Sequence, residues 1–226
     1  MKIISLGYTC YIKTLINATK YNKETDIFDW INSFYFNKLI LSLENKFDIF
    51  NKLIKSPIKV DLLVDNVFYN EIYSFRLPHE VDLTLSKDIY NRRLDRFMEY
   101  KTINESYLFI RIINYTGRYN VNAECINENY NEDCYNRLMT HLPMKSKILL
   151  ITHHKLSTED KSNIFYKFYV VDNIINPDHI SYGNFLEFKP KIIKCYESCF
   201  EYIDKHFDNL DVNMIQHFIT NSHINL

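Results

Sequence analysis

Cys10 is the first residue of this chain whose type and setting point to chemistry. It closes the run Gly7-Tyr8-Thr9-Cys10, after the apolar stretch Lys2 to Leu6 and before Ile12, Leu15, Ile16 and Thr19, which follow helical spacing. A strand, a sharp turn at Gly7 and a helix opening at Cys10 are the expected local structure. Unpaired N–H groups and the positive end of the helix dipole favour thiolate over thiol at such a position. The same placement also suits a small buried hydrophobe closing the first strand-helix junction.

A thiol nucleophile needs a base within reach and a third group to orient that base. His79 lies in Arg76-Leu77-Pro78-His79-Glu80, a loop-like stretch stiffened by Pro78, with Glu80 next to it as an orienting carboxylate. His153 and His154 end an apolar run, and His179 follows Asp178; each is an alternative base. His141, His206, His217 and His223 read as helix-face or tail residues. Asp29, beside Trp30, is either a second orienting acid or a helix cap. Arg92, Arg93 and Arg96 suit an anionic substrate or a solvated helix face paired with Asp95 and Glu99.

Other chemistries have less behind them. Cys195 and Cys199 lie four apart, but no matching Cys/His pair accompanies them, so no metal site is expected. Cys125 and Cys134 are unremarkable. Gly7 stands without a second glycine at dinucleotide or P-loop spacing, so no cofactor is expected.

These residues need elements to position them. Buried strands are expected at Lys2 to Leu6, Tyr107 to Ile113, Lys147 to Thr152 and Phe165 to Val171. Helices are expected over Asp88 to Tyr100, about Glu132 to Thr140 and Ile192 to Phe207. Two further helical stretches carry Phe36, Leu39, Ile40 and Leu43, then Phe47, Phe50, Leu53 and Ile54. Around Val67, Tyr69 and Ile72 alternation suggests a strand. This order predicts an α/β fold, a single domain over residues 1–226 with a largely parallel central sheet flanked by helices on both faces. Ligands bind such sheets at the carboxyl ends of the strands. Cys10, Arg111 with Asn114, and His153-His154 follow three of those ends and converge if the strands are neighbours.

Composition sets the outer limits. The 226 residues are 46% hydrophobic and 15% aromatic, enough for a packed core. Lys plus Arg at 27 against Asp plus Glu at 28 leaves a formal charge of -1 without a basic stripe, which disfavours nucleic acid as a partner. Five cysteines at irregular spacing make a poor disulfide framework, and no cationic leader with a long apolar region opens the chain, so a reducing, cytoplasmic setting is expected. No apolar run approaches the ~20 residues that span a bilayer, so no membrane association is expected. The bias to Asn, Ile, Lys, Tyr and Phe resembles AT-rich coding, as in some large DNA viruses, protists and low-GC bacteria.

Several segments, in order, resemble a family of papain-like cysteine peptidases first defined as a domain of unknown function. They are Ile4-Ser5-Leu6-Gly7-Tyr8-Thr9-Cys10, Phe28-Asp29-Trp30, Leu77-Pro78-His79-Glu80, Tyr90 to Phe97 with its R-x-x-R-F pattern, Leu108-Phe109-Ile110-Arg111, and Ser181-Tyr182-Gly183-Asn184-Phe185. The chain departs from the pattern at Ile27, usually proline, at Glu80, more often aspartate, and at Tyr182, where the family has tryptophan. The resemblance implies Cys10 as nucleophile and His79 as base, with Asp29 or Glu80 orienting it.

The expectation is a cysteine-dependent hydrolase, of peptidase or acyl-transfer type, acting on a peptide or other acyl substrate. Gly7, Tyr8, Trp30, Arg111 and Asn114 are its substrate-binding candidates. Two other classes stay open: a non-catalytic interaction or accessory protein, viral in one version, and a sugar- or nucleotide-handling transferase using Arg111 and Arg92. Sequence does not set the oligomeric state.

Overall fold

Apolar runs bounded by polar residues become the strands of a parallel sheet, and a second, antiparallel sheet lies beside it. The computed structural model describes residues 1–7, 10–21, 24–33, 35–50, 53–60, 63–77, 80, 82–113, 132–152, 166–169, 194 and 196–210, with the backbone alone at 10–11, 14–15, 55–60, 63–67, 112–113, 151–152 and 166–169.

In the parallel sheet the order is β1 (Lys2–Ser5), β6 (Tyr107–Ile113), β7 (Ser146–Thr152) and β8 (Tyr166–Tyr169). Ile4 lies opposite Phe109 and Phe109 opposite Ile148, so one register carries a row of buried side chains across three strands. Three expected strands are therefore direct neighbours, and their carboxyl ends share one edge. A crossover of helical chain is what parallel neighbours require. Between β1 and β6 lie α1 (Cys10–Asn17), α2 (Phe36–Glu44) and α3 (Leu83–Glu99); α4 (Glu132–Met139) lies between β6 and β7. Residues 196–205 form a further helix.

α3 begins earlier than apolar spacing alone predicts, because Asp82 caps it: one carboxylate oxygen accepts from the N–H groups of Thr84 (2.8 Å) and Leu85 (3.1 Å). Its inner face sends Phe97 against Phe28 and Phe109, edge to face in both cases.

The antiparallel sheet corrects the expectation of one central sheet. Its order is β2 (Asn32–Ser33), β5 (Phe75–Leu77), β4 (Leu63–Asn70) and β3 (Leu53–Val60). Instead of a second helix through Phe47 and Ile54, the chain leaves α2 by a turn in which Lys46 and Phe47 take positive φ (55° and 57°), and Leu53 then starts a strand. Phe47 and Phe50 mimic helical spacing while packing as loop aromatics on Phe28 and Tyr90. Pro57 is tolerated in β3 because, among the described residues, that strand is at the sheet edge and pairs on one side only. One buried apolar cluster takes residues from both sheets, among them Ile4, Phe109 and Ile148 from one and Phe75 and Leu77 from the other. Among the described residues no helix is long and apolar enough to cross a membrane.

Candidate active site

The carboxyl edge of β1 is built around Gly7. Its φ of +73° lies in the left-handed region, and a Cβ there would sit 2.4 Å from Ser33 Oγ, so only glycine fits both backbone and space. The Gly7 N–H donates to Ser5 Oγ (3.0 Å), and the Leu6 N–H donates to Ile110 O (2.7 Å), holding the turn onto β6. Three residues later α1 opens at Cys10, which therefore occupies the first position of a helix at the edge where ligands of parallel sheets bind.

Arg111 lies under this turn rather than open to a ligand. It is fully buried; Nη1 donates to Leu6 O (3.1 Å) and Ser33 Oγ (3.2 Å), and Nη2 donates to Ser33 O (2.8 Å). Its guanidinium also lies 5.2 Å from the centre of the Phe36 ring. A planar, permanently charged fork reaches oxygens of Leu6, just past β1, and of Ser33 in β2 at once. Arg111 and Gly7 thus meet through Leu6 and Ser33, and the arginine serves as a clamp between β6, the end of β1 and β2.

The second half of the region is a buried polar network beneath α1. Lys13, one turn beyond Cys10, is 1% exposed and pairs with the equally buried Asp29 at 2.7 Å. Lys13 Nζ also donates to Glu24 O, and Asp29 Oδ2 accepts from the Asp26 N–H (2.6 Å). Loss of hydration outweighs the ammonium beside it and pushes the Asp29 carboxyl up to about 6. Asp26, also raised by burial, accepts a hydrogen bond from Tyr100 Oη (2.6 Å), which in turn accepts one from Lys2 Nζ (2.7 Å). Lys2 pairs with Glu24 at 3.2 Å and keeps that carboxyl below its usual range.

Asp29 is thus neither a helix cap nor turned toward an imidazole in the described contacts; its charge meets Lys13. Glu80 is half-buried, three residues before α3, and its carboxylate accepts from Ser86 Oγ in the first turn of that helix. Trp30 ends the turn before β2 and is half-buried. Tyr8, His79, Asn114, His153, His154 and His179 lie outside the described residues, as does the side chain of Cys10. Among the described residues no group of three His, Cys, Asp or Glu side chains could hold a metal ion.

Sequence reasoning missed Lys13, Ser33, Asp26 and Tyr100. Lys13 had a signal: a cation between Ile12 and Leu15 on an apolar helical face needs a buried carboxylate, and Asp29 sits in the aromatic run Phe28-Asp29-Trp30. Ser33 had none, since its role follows from how close β2 passes to Gly7.

Compared with protein-family models, curated proteins and solved structures, the chain matches none.

Proposed function

We propose that this chain is a cysteine-dependent hydrolase of peptidase or acyl-transfer type, with Cys10 as nucleophile. The observation that carries this reading is that α1 begins at Cys10, three residues after Gly7, which packs against Ser33 beside the Leu6 carbonyl that Arg111 holds. The N–H groups of a helix's first turn stabilise a thiolate and then the oxyanion of a tetrahedral intermediate.

In this reading the Cys10 sulfur attacks an acyl carbonyl, His79 takes the thiol proton and returns it to the leaving group, and water then releases the acyl enzyme. Because Asp29 is already ion-paired to Lys13, Glu80 is the better orienting acid, one residue from His79, and Asp29 acts by holding α1 in place. The likeness to papain-like peptidases rests on the motifs around Cys10 and His79, whereas the parallel sheet supplies the frame. A reducing cytoplasm, which keeps the sulfur free, and a single domain go with this assignment. The transferase reading is the weaker one, because Arg111 is committed to the protein's own oxygens.

A thiol-reactive probe followed by peptide mass analysis tests the proposal. Cys10 should label faster than Cys125 or Cys195, with a rate midpoint below the ordinary thiol value of about 8.5, and His79→Ala should shift that midpoint upward. Equal labelling of the three cysteines, with a midpoint at the ordinary value, would overturn it.

A further inference from the structure

On the outer face of α3, far along the helix from its Asp82 cap, a hollow of about 540 Å³ opens between the helix and the segment that precedes Asp26. Its walls carry three guanidinium groups, Arg92, Arg93 and Arg96, with Thr25 opposite them and Ile89 as the apolar side chain. Residues three and four apart share a helix face, so Ile89, Arg92, Arg93 and Arg96 converge by spacing.

Two features make this more than a solvated basic face. First, Arg92 and Arg93 are not neutralised by the acids beside them: Asp95 and Glu99 also line the hollow, yet among the described residues no ion pair joins either to Arg92 or Arg93. Second, guanidinium donors are left over. Arg96 is held in place by Thr25 O, which accepts from Nη2 at 2.8 Å, and by Glu24 at 3.8 Å, while its buried Nε has no acceptor. Arg93 packs 4.8 Å over the Tyr90 ring and is a hydrogen-bond partner of the Tyr90 hydroxyl. A guanidinium carries five N–H donors, and those of exposed Arg92 in particular are open to the acceptor oxygens of a ligand in the hollow.

We propose that this hollow binds the phosphate group of a small phosphomonoester. Phosphate offers only acceptors, in several directions, and matches the guanidinium fork. At neutral pH it carries close to two negative charges. The space is larger than a lone phosphate needs and falls within the range of about 300–1,000 Å³ for small-molecule sites, so part of a polar ester fits beside the phosphate. Asp95 and Glu99 oppose such a ligand, so removing one of these charges should tighten its binding. The site stands apart from the Cys10 reading, and neither depends on the other.

Isothermal titration calorimetry with ribose 5-phosphate at low ionic strength tests it, with inorganic phosphate and ribose as comparison ligands. The ester should bind saturably, inorganic phosphate more weakly and ribose not at all. Arg92→Gln, at an exposed position where folding is not at stake, should weaken ester binding about tenfold, and Asp95→Asn should tighten it several-fold. Lys205→Gln, which removes the same charge from an exposed position elsewhere, should leave affinity unchanged. The proposal is overturned if the ester gives no saturable binding below about 10 mM, if ribose binds as well as its phosphate, or if Lys205→Gln costs as much affinity as Arg92→Gln.

Discussion

Two cations are buried within a few residues of the Gly7 turn, and they are accommodated by opposite means. Arg111 spreads its charge over the carbonyl oxygens of Leu6 and Ser33 and the Ser33 hydroxyl. Lys13 faces a carboxylate, Asp29, together with the Glu24 carbonyl. Neutral oxygens hold a cation with the same strength at any ordinary pH, while a carboxylate holds it only when ionised. The bonds from Arg111 to Leu6 and Ser33 are therefore insensitive to protons, and the Lys13–Asp29 pair on the helix side, which carries Cys10, is not.

The largest expected effect comes from Arg111→Met. It leaves three fully buried oxygens without their donor and should destabilise the fold by about 3 to 5 kcal/mol, read by urea unfolding. None of those oxygens titrates, so the loss should be the same at pH values of about 5 and 8; a loss that shrinks in acid would break the contrast. Lys13→Met should cost a similar or slightly smaller amount near pH 8, about 3 kcal/mol, because it strands the Asp29 carboxylate. Here the loss should fall on acidification.

The sign follows from proton uptake. The folded-state carboxyl of Asp29 lies at about 6, above the ordinary 3.8, so folding binds a proton between those values, and this group's contribution to stability rises as pH falls through about 6. Without the ammonium the recovery should begin at still higher pH. A Lys13→Met variant whose deficit is flat with pH would show that Asp29 does not titrate as the burial argument requires.

The smallest effect is expected at the Arg137–Glu44 pair, bidentate at 2.9 Å for both bonds but roughly a third exposed on each side. Arg137→Gln should cost under about 1 kcal/mol and less still in high salt, as measured by the same unfolding titration. A larger, salt-independent loss would show that burial is not what separates strong pairs from weak ones in this molecule.

Legibility in the sequence follows the same physics. β1, β6 and β7 were readable because parallel strands covered on both faces must be continuous apolar runs, and Cys10 was placed correctly at a helix start because Gly7 precedes an apolar helical pattern. The antiparallel sheet was not readable. β3 contains Lys55, Ser56, Pro57 and Lys59, which an edge strand tolerates and a propensity argument rejects, while Phe47 and Phe50 supply a false helical rhythm from a loop. The aromatic run Phe28-Asp29-Trp30 stands out in the sequence, but its carboxylate suits an orienting acid or a helix cap there as well as a buried partner for a cation. Its partner, Lys13, is a residue type seldom found at less than 1 to 2% exposure and was passed over on the helix face.

The Arg111 clamp also bears on how the chain reaches its folded state. The guanidinium sits on β6, yet two of its bonds go to Ser33, 78 residues earlier in the chain and in the other sheet. Until both sheets are in register, a permanent positive charge occupies a forming apolar interior with too few acceptors. Half-assembled forms are penalised by that charge, the two sheets become energetically interdependent, and loss of either one on heating should bring down the other in a single cooperative step.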